Sequence, residues 1–147
     1  MDIVTNQQLA HALWQVSQQS FQYGSPWTLQ QFVEDLEQGS SSWLLEKNAD
    51  DELIGYLQYR VLFDEAEIYN LAIATAYKGQ GLGRQLMMRL DTELGAQAVA
   101  QIFLEVRESN QLARAFYQKQ GFVEVSTRKN YYHHPLENGL ILMKELK

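Results

Sequence analysis

The chain has 147 residues, of which 46% are hydrophobic and 20% charged, and it has no cysteine. This length and apolar content predict one compact domain over residues 1–147. The missing cysteine excludes disulfides, thiolate metal sites and a cysteine nucleophile, and the formal charge of -6 disfavours a general affinity for nucleic acid. No apolar run is long enough to cross a bilayer and the start of the chain lacks a secretory signal, so we expect a cytoplasmic protein without membrane contact.

Two helices are predicted at the start of the chain. Thr5 and Gln8 match a capping box, and apolar residues follow at helical spacing, so the first helix is expected over residues 5–20. The second is expected from about Thr28, with Gly39 as its stop. The segments SSWLLEKN and ELIGYLQYRVLF then predict a hairpin of two strands with a polar turn between them.

A strand, a helix and a second strand are predicted in the middle of the chain. The first strand is AEIYNLAIATA, residues 66–76, and the second is QIFLEV, residues 101–106. Because a crossover helix separates them, the two strands should run parallel in one sheet. The helix between them has leucines at every fourth position: Leu82, Leu86, Leu90 and Leu94.

One more helix and two strands complete the predicted fold. The helix SNQLARAFYQKQG is expected to be capped by Ser109 or Asn110 and to bury a stripe of Leu112, Ala115 and Phe116. The segments FVEVSTRKNYY and GLILMKEL predict the last strands. The fold class is therefore α/β, with a mixed sheet that is antiparallel at both ends, a parallel pair in its centre, and helices on both faces.

The stretch YKGQGLGR, residues 77–84, lies between a predicted strand and the first turn of a predicted helix. At such a position, unpaired N–H groups and the positive end of the helix dipole favour an anion. Glycines at 79, 81 and 83 let the backbone approach that anion closely. Glycine also serves in ordinary tight turns, so the loop alone leaves phosphate binding and a plain turn both open.

Two common phosphate loops do not match this stretch. A Walker loop needs Lys followed by Ser or Thr after its last glycine, whereas Arg84 and Gln85 stand there. The dinucleotide fingerprint needs a glycine three positions after the second of its pair, and Leu86 occupies that position. The stretch is therefore neither a Walker loop nor a dinucleotide fingerprint.

The motif KGQGLG resembles the acyl-coenzyme A signature of the Gcn5-related N-acetyltransferases, the GNAT superfamily, with Lys78 where Arg or Gln is usual. The segments EIYNLAIATAYKGQGLGR, FLEVRESNQLARAFYQKQGF and RKNYYHHPLENGLILMKEL are similar, in the same order, to the bacterial ribosomal-protein-alanine N-acetyltransferases of the RimI type. This resemblance implies the GNAT fold and acetyl-coenzyme A (acetyl-CoA) as cosubstrate. The histidines predict no metal site, because the side chains of adjacent residues such as His133 and His134 seldom converge on one ion and His11 is expected on the wet face of the first helix.

Glu105 and Tyr117 are the candidate catalytic residues. Strand alternation places Glu105 on one face together with Arg107, so the residues alone favour an ion pair between these two over a catalytic base. By spacing alone, Tyr117 packs at the edge of an apolar stripe. The resemblance implies instead that Glu105 is the general base and that Tyr117 protonates the departing thiolate.

The resemblance also implies residues that bind coenzyme A and the acceptor. Asn110 is one of the former, although a helix cap is an equally good interpretation of it. The family more often has Glu-Asp-Ala where this chain has Glu137, Asn138 and Gly139, a difference that bears on recognition of a basic acceptor residue. The implied coenzyme A contacts are Leu71, Ala72, Ile73, Lys78, Gly79, Gln80, Gly81, Leu82, Gly83, Arg84 and Asn110, and the implied acceptor contacts, each of which packing would also explain, are Trp27, Asn130, Tyr131 and Tyr132.

The function implied is direct transfer of an acetyl group to the N-terminal amino group of an alanine. The expected acceptor is the basic N-terminal segment of a small-subunit ribosomal protein, which the acidic chain would attract. Two alternatives stay open: acetylation of a small-molecule or other protein amine, and a sensor that binds acyl-coenzyme A without catalysis.

Overall fold

The structure is a computed structural model that describes residues 4–146, so the ends of the predicted domain, residues 1–3 and 147, lie outside the described residues. Within residues 4–146, no helix is long and apolar enough to cross a membrane. The described elements are α1 (Asn6–Ser20), α2 (Leu29–Gln38), β1 (Ser42–Lys47), β2 (Leu53–Leu62), β3 (Glu65–Ile73), a 3₁₀ turn (Thr75–Tyr77), α3 (Leu82–Ala96), β4 (Gln101–Arg107), α4 (Gln111–Lys119), β5 (Val123–His133) and β6 (Leu136–Glu145).

The strands form one mixed sheet in the order β1-β2-β3-β4-β6-β5. The pairs β1/β2, β4/β6 and β5/β6 are antiparallel, whereas β3 and β4 pair in parallel, with Glu65 opposite Gln101 and Ile68 opposite Leu104. The predicted α/β class, with a parallel pair between antiparallel ends, is confirmed.

The chain divides into two compact units, one of residues 1–59 and 70–89 and the other of residues 60–69 and 90–147. In the first unit, Leu13 of α1, Phe32 of α2 and Tyr56 of β2 are completely buried. In the second unit, Ile102 of β4 and Leu142 of β6 are buried to the same degree. Each unit therefore has apolar side chains of its own from which a core is built.

The predicted helix ends agree with the structure. Thr5 and Gln8 form a reciprocal capping box at the start of α1. Thr28 and Gln31 form a second capping box at the start of α2, which the sequence analysis did not identify. Gly39 follows α2 in the left-handed conformation, with φ of 66°, and its N–H donates to the carbonyl of Asp35.

Two local predictions were wrong. The third strand ends at Ile73, because the chain turns into a 3₁₀ helix where the sequence predicted strand as far as residue 76. In α4, the predicted buried stripe is incorrect, since Leu112 is 87% exposed and Ala115 is also exposed, while Tyr117 is buried. The buried face of α4 is therefore rotated by one position from the predicted one. Helix positions three and four apart share a face, so the face that includes Tyr117 includes residues 113 and 116.

Candidate active site

The glycine loop, residues 78–84, belongs to the first unit and leads into α3. Gly79 and Gly81 have φ of 78° and 82°, in the left-handed region, and a Cβ built on either would meet no atom within 4 Å. Gln85 donates its N–H to the carbonyl of Gly81 at 3.0 Å. The N–H groups of residues 82–84 precede this first helical bond, so they have no partner within the helix. The loop thus presents donors and open space on the same stretch of backbone.

The charged and polar side chains of the loop differ in what they contact. Lys78 Nζ donates to the carbonyl of Ser20, the last residue of α1, at 3.0 Å. Gln80 Nε2 donates to the carbonyl of Ala76 at 3.4 Å, and Arg84 is exposed. Lys78 therefore anchors the loop to α1 in addition to contributing positive charge.

The strand segment before the loop is also tied to α1. Ile73 donates its N–H to Ser20 Oγ at 3.1 Å, and the next N–H, that of Ala74, donates to the carbonyl of Ile54 in β2 at 2.8 Å. Ser20 therefore contacts both the end of β3 and Lys78. The sequence analysis missed Ser20, because these partners lie 53 and 58 residues from it along the chain.

In the second unit, an open groove of about 380 Å³ is lined by residues of four strands. We call it the carboxylate groove, because three glutamates line it together with one arginine and several apolar side chains. Its lining residues include Arg60 and Leu62 of β2, Glu65, Glu67 and Tyr69 of β3, Phe103 and Glu105 of β4, and Ile141 of β6.

Glu105 has two carboxylate oxygens in different environments. Oε1 accepts a hydrogen bond from Arg128 Nη1 at 2.7 Å. Oε2 is buried and has no hydrogen-bond partner among the described residues. The predicted ion pair with Arg107 is wrong, since Arg107 pairs with Glu137 at 2.9 Å. Glu105 keeps one free oxygen, which a proton acceptor requires.

Glu67 is a neighbour of Glu105 that the sequence analysis missed. Partial desolvation in the groove raises the pKa of Glu67 above its usual value, although much of its side chain is exposed, and the negative charge of Glu105 raises it further, while Arg128 and Arg60 act in the opposite direction. Along β3, Glu65 and Glu67 are exposed and alternate with buried residues, so the face they share was readable from the sequence. The pairing register, which sets Glu67 opposite Phe103 of β4, was not readable.

Tyr117 is buried in α4, between two other aromatic rings. The ring centroids of Phe116 and Phe122 lie 5.1 and 5.5 Å from that of Tyr117. Burial raises the pKa of Tyr117 well above its usual value, so the phenol keeps its proton at neutral pH. At the start of the same helix, Asn110 Oδ1 accepts from the N–H of Ala113 at 3.1 Å, which confirms its role as a cap.

The candidate acceptor residues divide between the two units. Trp27 belongs to the first unit, where its ring packs 5.4 Å from that of Phe32. In the second unit, Tyr131 and Tyr132 of β5 are in edge-to-face contact at 5.0 Å. The guanidinium group of Arg128 lies 4.6 Å from the centre of the Tyr131 ring. Within the second unit, the structure thus brings the two tyrosines into one cluster with Glu105.

Tyr132 and Asn130 are held by residues from β4 and β6. Arg107 lies 4.4 Å from the centre of the Tyr132 ring. Burial, followed by the charge of Glu105, raises the pKa of Tyr132 to about 12. Asn130 has a φ of 54° and donates its N–H to Asn138 Oδ1 at 3.0 Å.

Two of the three positions that depart from the family pattern, Asn138 and Gly139, fit their surroundings in this chain. Asn138 Nδ2 donates to Glu108 Oε2 at 3.3 Å, a contact that an aspartate would replace with repulsion between two carboxylates. A Cβ on Gly139 would lie 3.2 Å from Tyr131 Cδ2 and 3.3 Å from Tyr132 Cε2. The glycine therefore lets the two tyrosine rings lie close against β6.

The glycine loop at the start of the crossover helix and the mixed sheet around it define an acetyltransferase architecture. The sequence profile of the Acetyltransferase (GNAT) family matches residues 6–122, and the chain belongs to this family. The family predicted from the motif KGQGLG is thus confirmed. Among residues 4–146, there is no group of three or more His, Cys, Asp or Glu side chains that could hold a metal ion.

Several proteins of known name are similar to this chain. The [ribosomal protein bS18]-alanine N-acetyltransferase of Salmonella typhimurium is 36% identical over 82% of this chain and 79% of that protein. The protein of the same name from Haemophilus influenzae is 35% identical over 88% of each chain. The crystal structure of the ribosomal-protein-S18-alanine N-acetyltransferase from Escherichia coli aligns with a TM-score of 0.82 and 29% identity, over 94% of this chain and 88% of that one.

Proposed function

We propose that this protein transfers an acetyl group from acetyl-CoA to the N-terminal α-amino group of an alanine in a ribosomal protein. The observation that carries the proposal is the 35–36% identity, over 82–88% of the chain, to enzymes named for that reaction. The free Oε2 of Glu105 supports it, because this reaction needs a proton acceptor. The acceptor is proposed to be the basic N-terminal segment of the small-subunit protein.

The glycine loop fits a coenzyme A pyrophosphate. The open space before Gly79 and Gly81 leaves room for a phosphate against the backbone, and the N–H groups of residues 82–84 would donate to it. We assign further contacts to residues 71–73, to Lys78, Gln80 and Arg84, and to Asn110. When bound, acetyl-CoA supplies the acetyl thioester, and we propose no metal.

The proposed proton acceptor is Glu105 Oε2, which would take a proton from the incoming ammonium group. An α-amino group has an unperturbed pKa of about 7.7–8.0, so it needs less assistance than a lysine side chain at about 10.4. Tyr117 would donate a hydrogen bond to the leaving sulfur. Because burial raises the pKa of Tyr117, whereas a free thiol has a pKa of about 8.5, Tyr117 acts mainly by stabilising the developing negative charge.

The charges of the second unit favour a basic acceptor. Glu65 and Glu67 line the groove beside Glu105, and carboxylates around an open groove attract cationic peptides at long range. Asn130, Tyr131 and Tyr132 are the proposed contacts for the peptide in this unit, and Trp27 is the proposed contact in the other. The proposed acceptor implies a cytoplasmic location, with no direct contact to nucleic acid or membrane.

Thiol release from acetyl-CoA tests the proposal. Two basic peptides of equal sequence are compared, one with a free N-terminal alanine and one with that terminus acetylated. Turnover with the free peptide alone is expected. Turnover of both peptides would assign the activity to side-chain amines. Turnover of neither peptide, by protein that binds acetyl-CoA, would contradict the proposal in favour of a small amine acceptor or a sensor.

A further inference from the structure

Glu105 and Arg128 form a contact between strands that are not neighbours. Glu105 of β4 pairs with Ile141 of β6, and Arg128 of β5 pairs with Gly139 of the same strand. Adjacent strands are about 4.8 Å apart, so β4 and β5 lie about 10 Å apart across β6. Arg128 therefore extends across the whole width of β6 to reach Oε1 of Glu105 at 2.7 Å.

The guanidinium group of Arg128 has a second contact that fixes its direction. It lies 4.6 Å from the centre of the Tyr131 ring, and a cation over a ring face is attracted by the electron density there. The ring of Tyr131 lies close against Gly139, as a Cβ at that position would be 3.2 Å from Tyr131 Cδ2. The arginine is thus held between a ring that rests on β6 and the carboxylate of Glu105.

An irregularity in β5 makes this arrangement possible. The pairing of β5 with β6 shifts between Arg128 and Tyr132, and Asn130, with φ of 54°, lies in that interval. Asn138 Oδ1 of β6 accepts the N–H of Asn130 at 3.0 Å and so stabilises the shifted backbone. In a regular strand, residues 128 and 131 would point to opposite faces, whereas the irregularity brings both side chains together.

The ion pair is not explained by stability alone. Half of the Arg128 side chain is exposed, whereas Glu105 is 20% exposed, and a partly exposed pair of this kind contributes little to stability because solvent screens it. The geometry has a clearer consequence for Glu105. With Oε1 held by Arg128, the carboxylate cannot rotate freely, and Oε2 stays in its buried position without a partner.

We propose that Arg128 is a positioning residue for the catalytic carboxylate: it holds Glu105 Oε1 so that Oε2 is directed to accept the proton of the acceptor amine. This inference rests on the proposed role of Glu105 as the base. In other enzymes, a third group often orients the general base, and Arg128 is assigned that role here. The competing explanation is that Arg128 occupies the place of the substrate ammonium and must leave before reaction.

The test compares Arg128→Ala and Arg128→Lys with the matched control Arg114→Ala. Arg114 belongs to the same unit and forms a similar partly exposed ion pair with Glu124 at 2.9 Å. With acetyl-CoA and the alanine peptide, Arg128→Ala is expected to lower kcat by about 10- to 100-fold, the effect of a misdirected catalytic group. KM for acetyl-CoA should stay unchanged, Arg128→Lys should fall between Arg128→Ala and the wild type, and Arg114→Ala should keep wild-type kcat.

Chemical rescue separates positioning from a merely structural contribution. Free guanidinium ion, added far below denaturing concentrations, is expected to restore part of kcat in Arg128→Ala, because the arginine is half exposed and its place is open to solvent. The wild type and Arg114→Ala should not respond. An unchanged or raised kcat in Arg128→Ala would overturn the proposal in favour of the competing explanation, and a loss that guanidinium does not restore would also overturn it.

A crystal structure of Arg128→Ala provides a readout that does not depend on the acceptor. The expected result is a Glu105 carboxylate that has rotated or occupies several positions. A carboxylate that keeps the wild-type position of Oε2 would contradict the positioning role, whatever the substrate is. If instead the wild-type enzyme fails to acetylate the peptide while this structural change occurs, the proposed acceptor is wrong and the positioning role stands.

Discussion

The glycine loop and the carboxylate groove are assembled in different ways. The loop consists of consecutive residues, 78–84, whose conformation follows from two glycines with positive φ and from the start of α3. The groove takes its side chains from four strands, and its residue Glu105 is held by Arg128 of a fifth strand, 23 residues further along the chain. A site built from consecutive residues can be recognised in the sequence as a motif, whereas a site assembled from several strands depends on the register in which they pair.

The two regions also differ in how they tolerate change. A single side chain in the loop can block the approach of a ligand to the backbone, since open space lies where each Cβ would be. In the groove, the carboxylate of Glu105 is held by a chain of contacts from β5 and β6. Substitutions in the loop should therefore affect cofactor binding, and substitutions in the groove should affect turnover.

The largest effect is expected from removing Glu105, the proposed proton acceptor in the groove. Glu105→Gln should lower kcat by about 10²–10⁴-fold, the usual contribution of general acid–base catalysis, because the amide has no basic oxygen. Tyr117→Phe should lower kcat in the same way, but to a smaller extent. Steady-state kinetics with the alanine peptide measures both, and calorimetry should find wild-type affinity for acetyl-CoA. A loss of acetyl-CoA binding in both variants would contradict the assigned roles.

An effect of intermediate size is expected in the loop. Gly81→Val should weaken acetyl-CoA binding by about 10- to 100-fold, which corresponds to losing one hydrogen bond to a charged group. The side chain would occupy the space before the backbone donors and would also strain a residue with φ of 82°. Calorimetric titration with acetyl-CoA measures the loss.

The matched control for the loop is Gly39→Val. Gly39 lies in the same unit, has φ of 66°, and also has open space where a Cβ would be. Both variants should lose about 1–3 kcal/mol of stability from backbone strain, but only Gly81→Val should lose acetyl-CoA affinity. Equal affinity losses in the two variants would show that strain, and not a blocked phosphate site, is the cause.

The features that the sequence predicted correctly are those determined by neighbours along the chain. The Thr5 capping box, the stop at Gly39 and the leucine repeat of α3 all depend on residues within four positions of one another. The parallel pairing of β3 and β4 also followed, because a crossover helix leaves few other connections.

The features that the sequence did not predict depend on strand pairing and on helix rotation. Arg107 is two positions from Glu105, yet it pairs with Glu137, and the true partner of Glu105 is Arg128. The irregularity in β5 that brings Arg128 across β6 has no local signal apart from Asn130, a residue type that tolerates positive φ. In α4, the buried face is rotated by one position from the predicted one, so Tyr117 is buried and Leu112 is exposed.

The smallest effect is expected at Asn138, which supports the groove from a distance. Asn138→Asp keeps the oxygen that accepts the N–H of Asn130 but sets a second carboxylate 3.3 Å from Glu108. Because the site is partly exposed, the loss in the free energy of unfolding should be only about 0.5–1 kcal/mol at neutral pH and low salt. Added salt should reduce this loss by screening, and Glu108→Gln in the same chain should abolish it. Thermal melts of the two single variants and the double variant measure the coupling. A loss of stability that neither salt nor Glu108→Gln relieves would mean that the Asn138 amide contributes through the hydrogen bond it donates. The groove would then depend on the position of Asn138 and not on the charge beside it.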